Sequence, residues 1–310
     1  MEWKRRPKIL IIGDVRGWAW DIKSEYLIKY LSDEFDITYV PLNEPNNIGI
    51  DVNHYDLYLM YGWNNVERLN MVPKERRIAG VTAHKPEITM KTYIIPQLKL
   101  ALWNHANSLL LLEELRKWKL KNIFYVPNGV EETLFTIKVP IQTERNNLVV
   151  GHVGKHCGSG TDAKGHQRFI EPACKAADVQ YIGHYNNYRN RVPHNKMPDF
   201  YQQLDVFIVS SETDGTPNGA LEAAACGRPI ISNRIGNMPE FIKDGYNGFL
   251  VERKVEAYVE RLKYLKNNRD HLKEMGNNAR KTVESGWTWN IMSQNYRKMF
   301  REILLKAGLR

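Results

Sequence analysis

Long apolar runs are missing from this chain: its longest ones, such as residues 8–12 and 108–112, fall far short of the roughly 20 residues that cross a bilayer. No membrane span is expected. The N-terminal stretch MEWKRRPKILIIGD carries basic residues but neither a signal-length apolar core nor a small-residue cleavage site, so it reads as a first strand and the expected location is cytoplasmic. Cysteine is scarce. Cys157, Cys174 and Cys226 form no close pair and show no zinc-type spacing with histidine, which argues against a disulfide framework or a structural metal. Repeats and low-complexity tracts are absent, and so is an Asp-X-Asp pair of the kind that holds a divalent ion against a diphosphate.

With 310 residues, 43% hydrophobic and 25% charged, the chain is long enough for two domains of about 150 residues each. The net charge of +9 favours an anionic partner, whether phospholipid surface, polyphosphate or nucleic acid, and says nothing about fold.

Short β-branched runs at 8–13, 36–42, 56–62, 77–84, 108–112 and 123–129 alternate with amphipathic segments. That rhythm predicts βαβ units and a parallel sheet covered by helices. Trp18, Ile22, Leu27, Tyr30 and Leu31 recur at near-helical spacing and predict the first crossover helix over about 18–32. A polar stretch with a proline, 139–146, then separates a domain of 1–138 from a second one of 147–286, where strands restart at 147–154, 179–184, 205–211, 228–232 and 247–251. The tail is helical in composition and breaks near GWTWN, 286–290. Two doubly wound halves predict a ligand in the cleft between them, where strand C-termini meet helix N-termini.

The chemistry-bearing residues follow strands. After the run at 205–211 comes ETDGTPNGALEAAACGRPIIS, in which a helix from about Asn218 to Cys226 has Asp214, Thr216 and Asn218 as capping candidates. Gly215 lets backbone approach a ligand closely, and the positive helix end suits a diphosphate. Asp214 and Glu222 bracket this unit, and each carboxylate can bind a pair of sugar or ribose hydroxyls. The alternatives are a turn residue at Asp214 and a solvated helix residue at Glu222.

The stretch DGTPNGALEAAACGRPIISNRIGNMPEFIKDGYNGFLV, 214–251, resembles the donor-site signature of the retaining GT-B glycosyltransferases known as glycosyl transferases group 1. That signature places seven residues between two acids. The resemblance implies that Asp214, one methylene shorter than the usual Glu, lies near the donor sugar, that Glu222 binds the nucleotide ribose, and that Gly215, Thr216, Pro217 and Asn218 line the donor site. VGHVGKHCGSGTDAKGHQRFIEPACKAA, 149–176, resembles the family's first strand-loop-helix of the donor domain. It implies that Lys155 and Lys164 contact the diphosphate, offsetting charge that grows as the glycosidic bond breaks. VPNGVEETLF, 126–135, resembles the turn that closes the first domain, with Asn128 reaching the donor; Asn-Gly is also a common turn dipeptide. Glu240 sits where the family has an acid beside the nucleotide, although it can equally cap or solvate a short helix. His84, ending the run 77–84, matches a position facing donor sugar and acceptor. The loop GDVRGWAW, 13–20, takes the place of a glycine-rich acceptor loop, with Arg16, Trp18 and Trp20 atypical there.

The resemblance implies a GT-B, α/β fold of two doubly wound, Rossmann-like domains facing a central cleft. It also implies that the segment 287–310 packs back on the first domain, with Trp287 and Trp289 at the crossing. The implied activity is metal-independent, retaining transfer of a hexose from a UDP- or GDP-sugar to an acceptor hydroxyl, with no cofactor beyond the donor itself. Basic segments 3–8 and 115–122 fit peripheral contact with an anionic membrane carrying a glycan or lipid-linked acceptor. DNA bearing modified bases as acceptor, a non-catalytic nucleotide-sugar-binding subunit and a GT-B epimerase are the competing readings.

Overall fold

The computed structural model describes residues 3–42, 53–145, 147–155, 162–186 and 192–308, without the side chains of residues 155 and 184–186. Cys157 and the side chain of Lys155 therefore lie outside the described residues. The chain divides into two compact units, one of Met1–Asn128 with Trp289–Arg310, the other of Gly129–Thr288.

In the first unit six parallel strands, β1 (Lys8–Gly13), β2 (Asp36–Pro41), β3 (Leu57–Met60), β4 (Arg77–Val81), β5 (Trp103–Ala106) and β6 (Ile123–Tyr125), lie in the order β2-β1-β3-β4-β5-β6. Successive residues of a strand point to opposite faces, and in the central strands both faces are buried, as a parallel sheet requires. Ile9 and Ile11 pack with Leu27, Phe300 and Ile303, whereas Leu10 and Ile12 pack with Met60, Leu111 and Leu115.

One expectation is corrected in this unit. Residues 108–112 are not a strand. Ser108 is the N-cap of helix α2 (Leu109–Lys117), its hydroxyl accepting from Leu111 N, and Leu111, Leu112 and Leu115 form the buried face. A capped leucine run at helical spacing buries as a helix, and the strand is the preceding WNHA. The first crossover helix, α1 (Ala19–Leu31), buries Asp21, Lys23, Ser24, Leu27 and Leu31, while Trp18, Ile22 and Tyr30 are only partly buried. The expected helix is thus present, and Leu27 and Leu31 are the members of its apolar set that are fully buried.

In the second unit β7 (Val149–Lys155), β8 (Gln180–Asn186), β9 (Val206–Val209), β10 (Ile230–Asn233) and β11 (Gly248–Val251) form a parallel sheet in the order β11-β10-β9-β7-β8. Helix α3 (Asn218–Ala225) follows β9, and the long helices α4 (Val255–Asn267) and α5 (Arg269–Gly286) follow β11. Tyr258, Leu262, Leu272 and Met275 from these two cover Val150, Val206, Ile208 and Ile231.

The units part between Asn128 and Gly129, ahead of the polar stretch 139–146. Residues just after that point are tied to the second unit: Val130 N donates to Trp287 O at 2.9 Å, and the Arg280 guanidinium donates to the carbonyls of Glu132, Phe135 and Ala225. Trp287 packs edge-on against Phe241 in the same unit. The last helix, α6 (Trp289–Lys306), belongs to the first unit, where Trp289 stacks on Tyr26 at 5.5 Å. Arg297 and Arg301 reach Glu34 at 2.7 Å each.

Candidate functional site

In a parallel sheet whose strand order reverses, the loops on either side of the reversal diverge and leave a crevice at the strand C-termini. In the second unit that reversal falls between β7 and β9, and the loops that follow these strands carry Lys164 and Asp214. They are fastened together by backbone: Glu212 N donates to Ala163 O at 2.8 Å. Gly165, at φ +71°, packs so closely on Ser210 that an added Cβ would run into the Ser210 carbonyl. Only glycine combines that conformation with that approach. Asp162 accepts from the backbone N of His166 and of Arg168, both at 2.8 Å, and holds the loop's exit. The consequence is a Lys164 Nζ to Asp214 Oδ2 ion pair of 2.5 Å.

The Asp214–Pro217 loop is shaped from behind. Asn237 N donates to Gly215 O at 3.0 Å, and Gly236, at φ +52°, sits so close to the same carbonyl that it leaves no room for a Cβ. Thr216 is buried. The expected capping of α3 is corrected: its N-cap position is Pro217, which brings no side-chain cap, so none of Asp214, Thr216 and Asn218 occupies that position. Asn218 is instead the helix's first residue.

Glu222, in the second turn of α3, is a clamped carboxylate. Tyr201, at the end of the short helix Met197–Tyr201, donates its hydroxyl to Oε2 at 2.6 Å, and His194 Nε2 lies 3.1 Å from Oε1. Burial first, and then the Glu222 charge, push the Tyr201 phenol well above its ordinary pKa, so it stays a donor. Phe135 packs edge-on against both clamping rings, at 5.1 Å from His194 and 5.9 Å from Tyr201. The phenylalanine that ends VPNGVEETLF thus braces the second acid.

Tyr201 and His194 were not legible in the sequence, because neither belongs to a motif. Glu240 lies in the first turn of the short helix Met238–Phe241, whose N-cap Asn237 is the residue bonded to Gly215. The structure therefore gathers Lys164, Asp214, Gly215, Thr216, Pro217, Asn218 and Glu222 around the β7 and β9 termini and the start of α3.

The first unit holds the other two candidates. Asn128, its last residue before the division, is buried. His84 follows β4, its Nδ1 2.8 Å from Glu114 Oε2 on α2, and its Nε2 has no hydrogen-bond partner among the described residues. Glu114 had no sequence signal. Trp20, in the first turn of α1, packs on Tyr61, with ring centroids 5.9 Å apart, and over Gly62, so it is a packing residue. Trp18 is the N-cap position of α1.

Comparison with known proteins finds matches to part of this chain. Residues 142–282 match the family model "Glycosyl transferases group 1". An uncharacterized glycosyltransferase of Methanocaldococcus jannaschii is 29% identical over 110 residues, 35% of this chain and 31% of that protein. A D-inositol 3-phosphate glycosyltransferase of Streptomyces bingchenggensis is 29% identical over 145 residues, 46% of this chain and 30% of that protein. The matches thus span about a third of these relatives' own length. Among solved structures, HepE of Anabaena in complex with UDP and glucose is similar with a TM-score of 0.72 at 14% identity, covering 96% of this chain and 100% of that one. The GT-B fold expected from the sequence is thereby established.

Proposed function

We propose that this chain, whose second unit carries the glycosyl transferases group 1 domain, is a glycosyltransferase that uses a nucleoside diphosphate sugar, UDP- or GDP-linked, and moves a hexose to an acceptor hydroxyl with retention of configuration. The observation that carries the reading is the paired arrangement at the β7/β9 reversal: Lys164 against Asp214 on one side of the α3 start, and Glu222 clamped by Tyr201 and His194 on the other.

Each group has a task in that reaction. Glu222 accepts from the ribose hydroxyls, its geometry preset by two donors. Lys164 and Lys155, with the amide-rich start of α3, meet the charge that develops on the departing diphosphate. Asp214 accepts from hydroxyls of the transferred sugar, Asn128 and Glu240 border the nucleotide, and His84, oriented by Glu114, serves the sugar from the first unit. The leaving phosphate oxygen takes the acceptor's proton on the face it departs from. This assigns the diphosphate to side-chain and backbone charge and makes the reaction independent of metal.

The acceptor we propose is a cell-surface glycan or lipid-linked hydroxyl, met at an anionic membrane surface by the exposed Arg116, Lys117, Lys119 and Lys121. No helix of the described residues is long and apolar enough to cross a membrane. Binding to acidic liposomes in preference to duplex DNA, each titrated with salt, tests the acceptor side. For the reaction itself, UDP- and GDP-sugars are screened for release of nucleoside diphosphate, with and without EDTA. Asp214→Asn is expected to abolish release while leaving nucleotide binding, and near-normal turnover of that variant would refute the assignment.

A further inference from the structure

One buried side chain at the same crevice has no task in this scheme. His152, on β7, is 2% exposed. The β7/β9 ladder pairs Val150 with Val206 and Gly151 with Phe207 and goes no further. Just past that point the His152 Nδ1 lies 2.9 Å from Ile208 O. A carbonyl only accepts, so Nδ1 carries the hydrogen and Nε2 carries the lone pair. That Nε2 is buried with no partner among the described residues, a state that takes a polar atom away from water without replacing the hydrogen bond it made there.

The ring is held in place by Phe207, stacked at 6.1 Å and 28°. A Cβ built on Gly154 would stand 2.9 Å from His152 Nε2 and 3.4 Å from Lys164 Cγ, so the free edge of the ring and the lysine stem both border the space over that glycine. Burial is the main influence that lowers the imidazole's pKa, to about 4, with the Ile208 hydrogen bond opposing it, Lys164 and His166 adding to it and Asp214 opposing least. The ring is neutral at ordinary pH and stands ready as an acceptor.

We propose that His152 is a positioning residue for Lys164: when a nucleoside diphosphate draws the ammonium away from Asp214, Nε2 accepts a hydrogen bond from it and keeps it aimed at the phosphates. Asp214 is then released to the sugar hydroxyls. The inference rests on the donor-site reading above.

Three substitutions separate the two ring nitrogens. His152→Asn retains an amide near Nδ1 for the Ile208 carbonyl and has nothing at Nε2. His152→Gln extends a carbonyl toward Nε2, and His152→Phe keeps the stacking but neither bond. Calorimetric dissociation constants for UDP, GDP and the matching monophosphates are measured at pH 7.5, with thermal unfolding as a check on folding. The Asn and Phe variants are expected to lose about tenfold in diphosphate affinity and less than threefold in monophosphate affinity, with the Gln variant restored to within about threefold of the parent. In a Lys164→Ala background the His152 substitutions are expected to add no further loss. In the parent protein itself, the Nε2 nitrogen resonance of His152 should move upfield when the diphosphate binds, as its lone pair takes up a hydrogen bond. Unchanged diphosphate affinity in whichever of the Asn and Phe variants folds, an additive loss in the Lys164→Ala background, or an Nε2 resonance that stays in place overturns the inference. A parent protein that binds neither UDP nor GDP overturns the donor-site reading instead.

Discussion

Lys23 offers the sharpest test of the energetics. It is 2% exposed in the core of the first unit, and its Nζ has no hydrogen-bond partner among the described residues. Among the described residues two aromatic faces attend it, Tyr61 at 4.7 Å and Tyr296 at 5.0 Å. Burial lowers its pKa from 10.5 to about 7. Moving a pKa by one is worth about 1.4 kcal/mol, so housing this lysine at pH 7, where half the folded molecules have released the proton, opposes folding by about 4 kcal/mol. Against this the ring faces return about 2 kcal/mol. Lys23→Met keeps an unbranched chain of similar length and is expected to stabilise the first unit by about 2 kcal/mol at pH 7. The sign with pH is fixed by linkage: the folded pKa is depressed, so between 7 and 10.5 the unfolded chain binds more protons and the parent gains stability as pH rises. The gap between variant and parent should therefore shrink on going to about pH 9.5. Urea unfolding followed by tryptophan fluorescence reports on this unit, since every tryptophan except Trp287 belongs to it. A Met variant less stable than the parent at pH 7, or a gap indifferent to pH, would refute the reasoning.

Three further outcomes are expected. Tyr201→Phe removes the phenol that donates to Glu222 and should weaken UDP or GDP binding by about tenfold with little change in thermal midpoint, measured by calorimetry. Acid stability should begin to fall near pH 6.5, because burial lowers the pKa of both His105 and His152 from that value; unfolding midpoints that stay flat from about pH 6.5 to about pH 5 would contradict this. Glu34 is pulled two ways: burial raises its pKa, while hydrogen bonds from Arg301, Trp3 and Arg297 outweigh it and hold the carboxyl at about 2. Its contribution is present above pH 4.5 and lost as pH falls toward 2, so Glu34→Gln should cost about 2–3 kcal/mol at pH 7, allowing for solvent around Arg301, and flatten that acid limb in denaturant titrations.

Much of the fold was legible because its parallel strands read as short apolar runs between amphipathic segments, and all but one of them do so. The exception, WNHA, places Asn104 and His105 among its buried residues, and the leucines after it mimic a strand until Ser108 caps them into a helix. At the candidate site, Asp214 and Glu222 stand out because a loop after a strand supplies charge, glycine and a helix start within a few residues of one another, whereas Lys164 is singled out by the family resemblance. Their partners were not. Tyr201, His194 and Glu114 come from separate elements, and His152 is one more residue of a strand until its ring and the Lys164 stem are seen bordering the same space over Gly154.

The alternation of most strands and helices and the two acids around the start of α3 were determined by the sequence alone, since each depends on neighbours a few residues away. Which face of α1 is buried, what clamps Glu222 and what meets Lys164 were decided only in the tertiary structure. Those contacts join residues far apart along the chain, and no local propensity records where folding will bring them together.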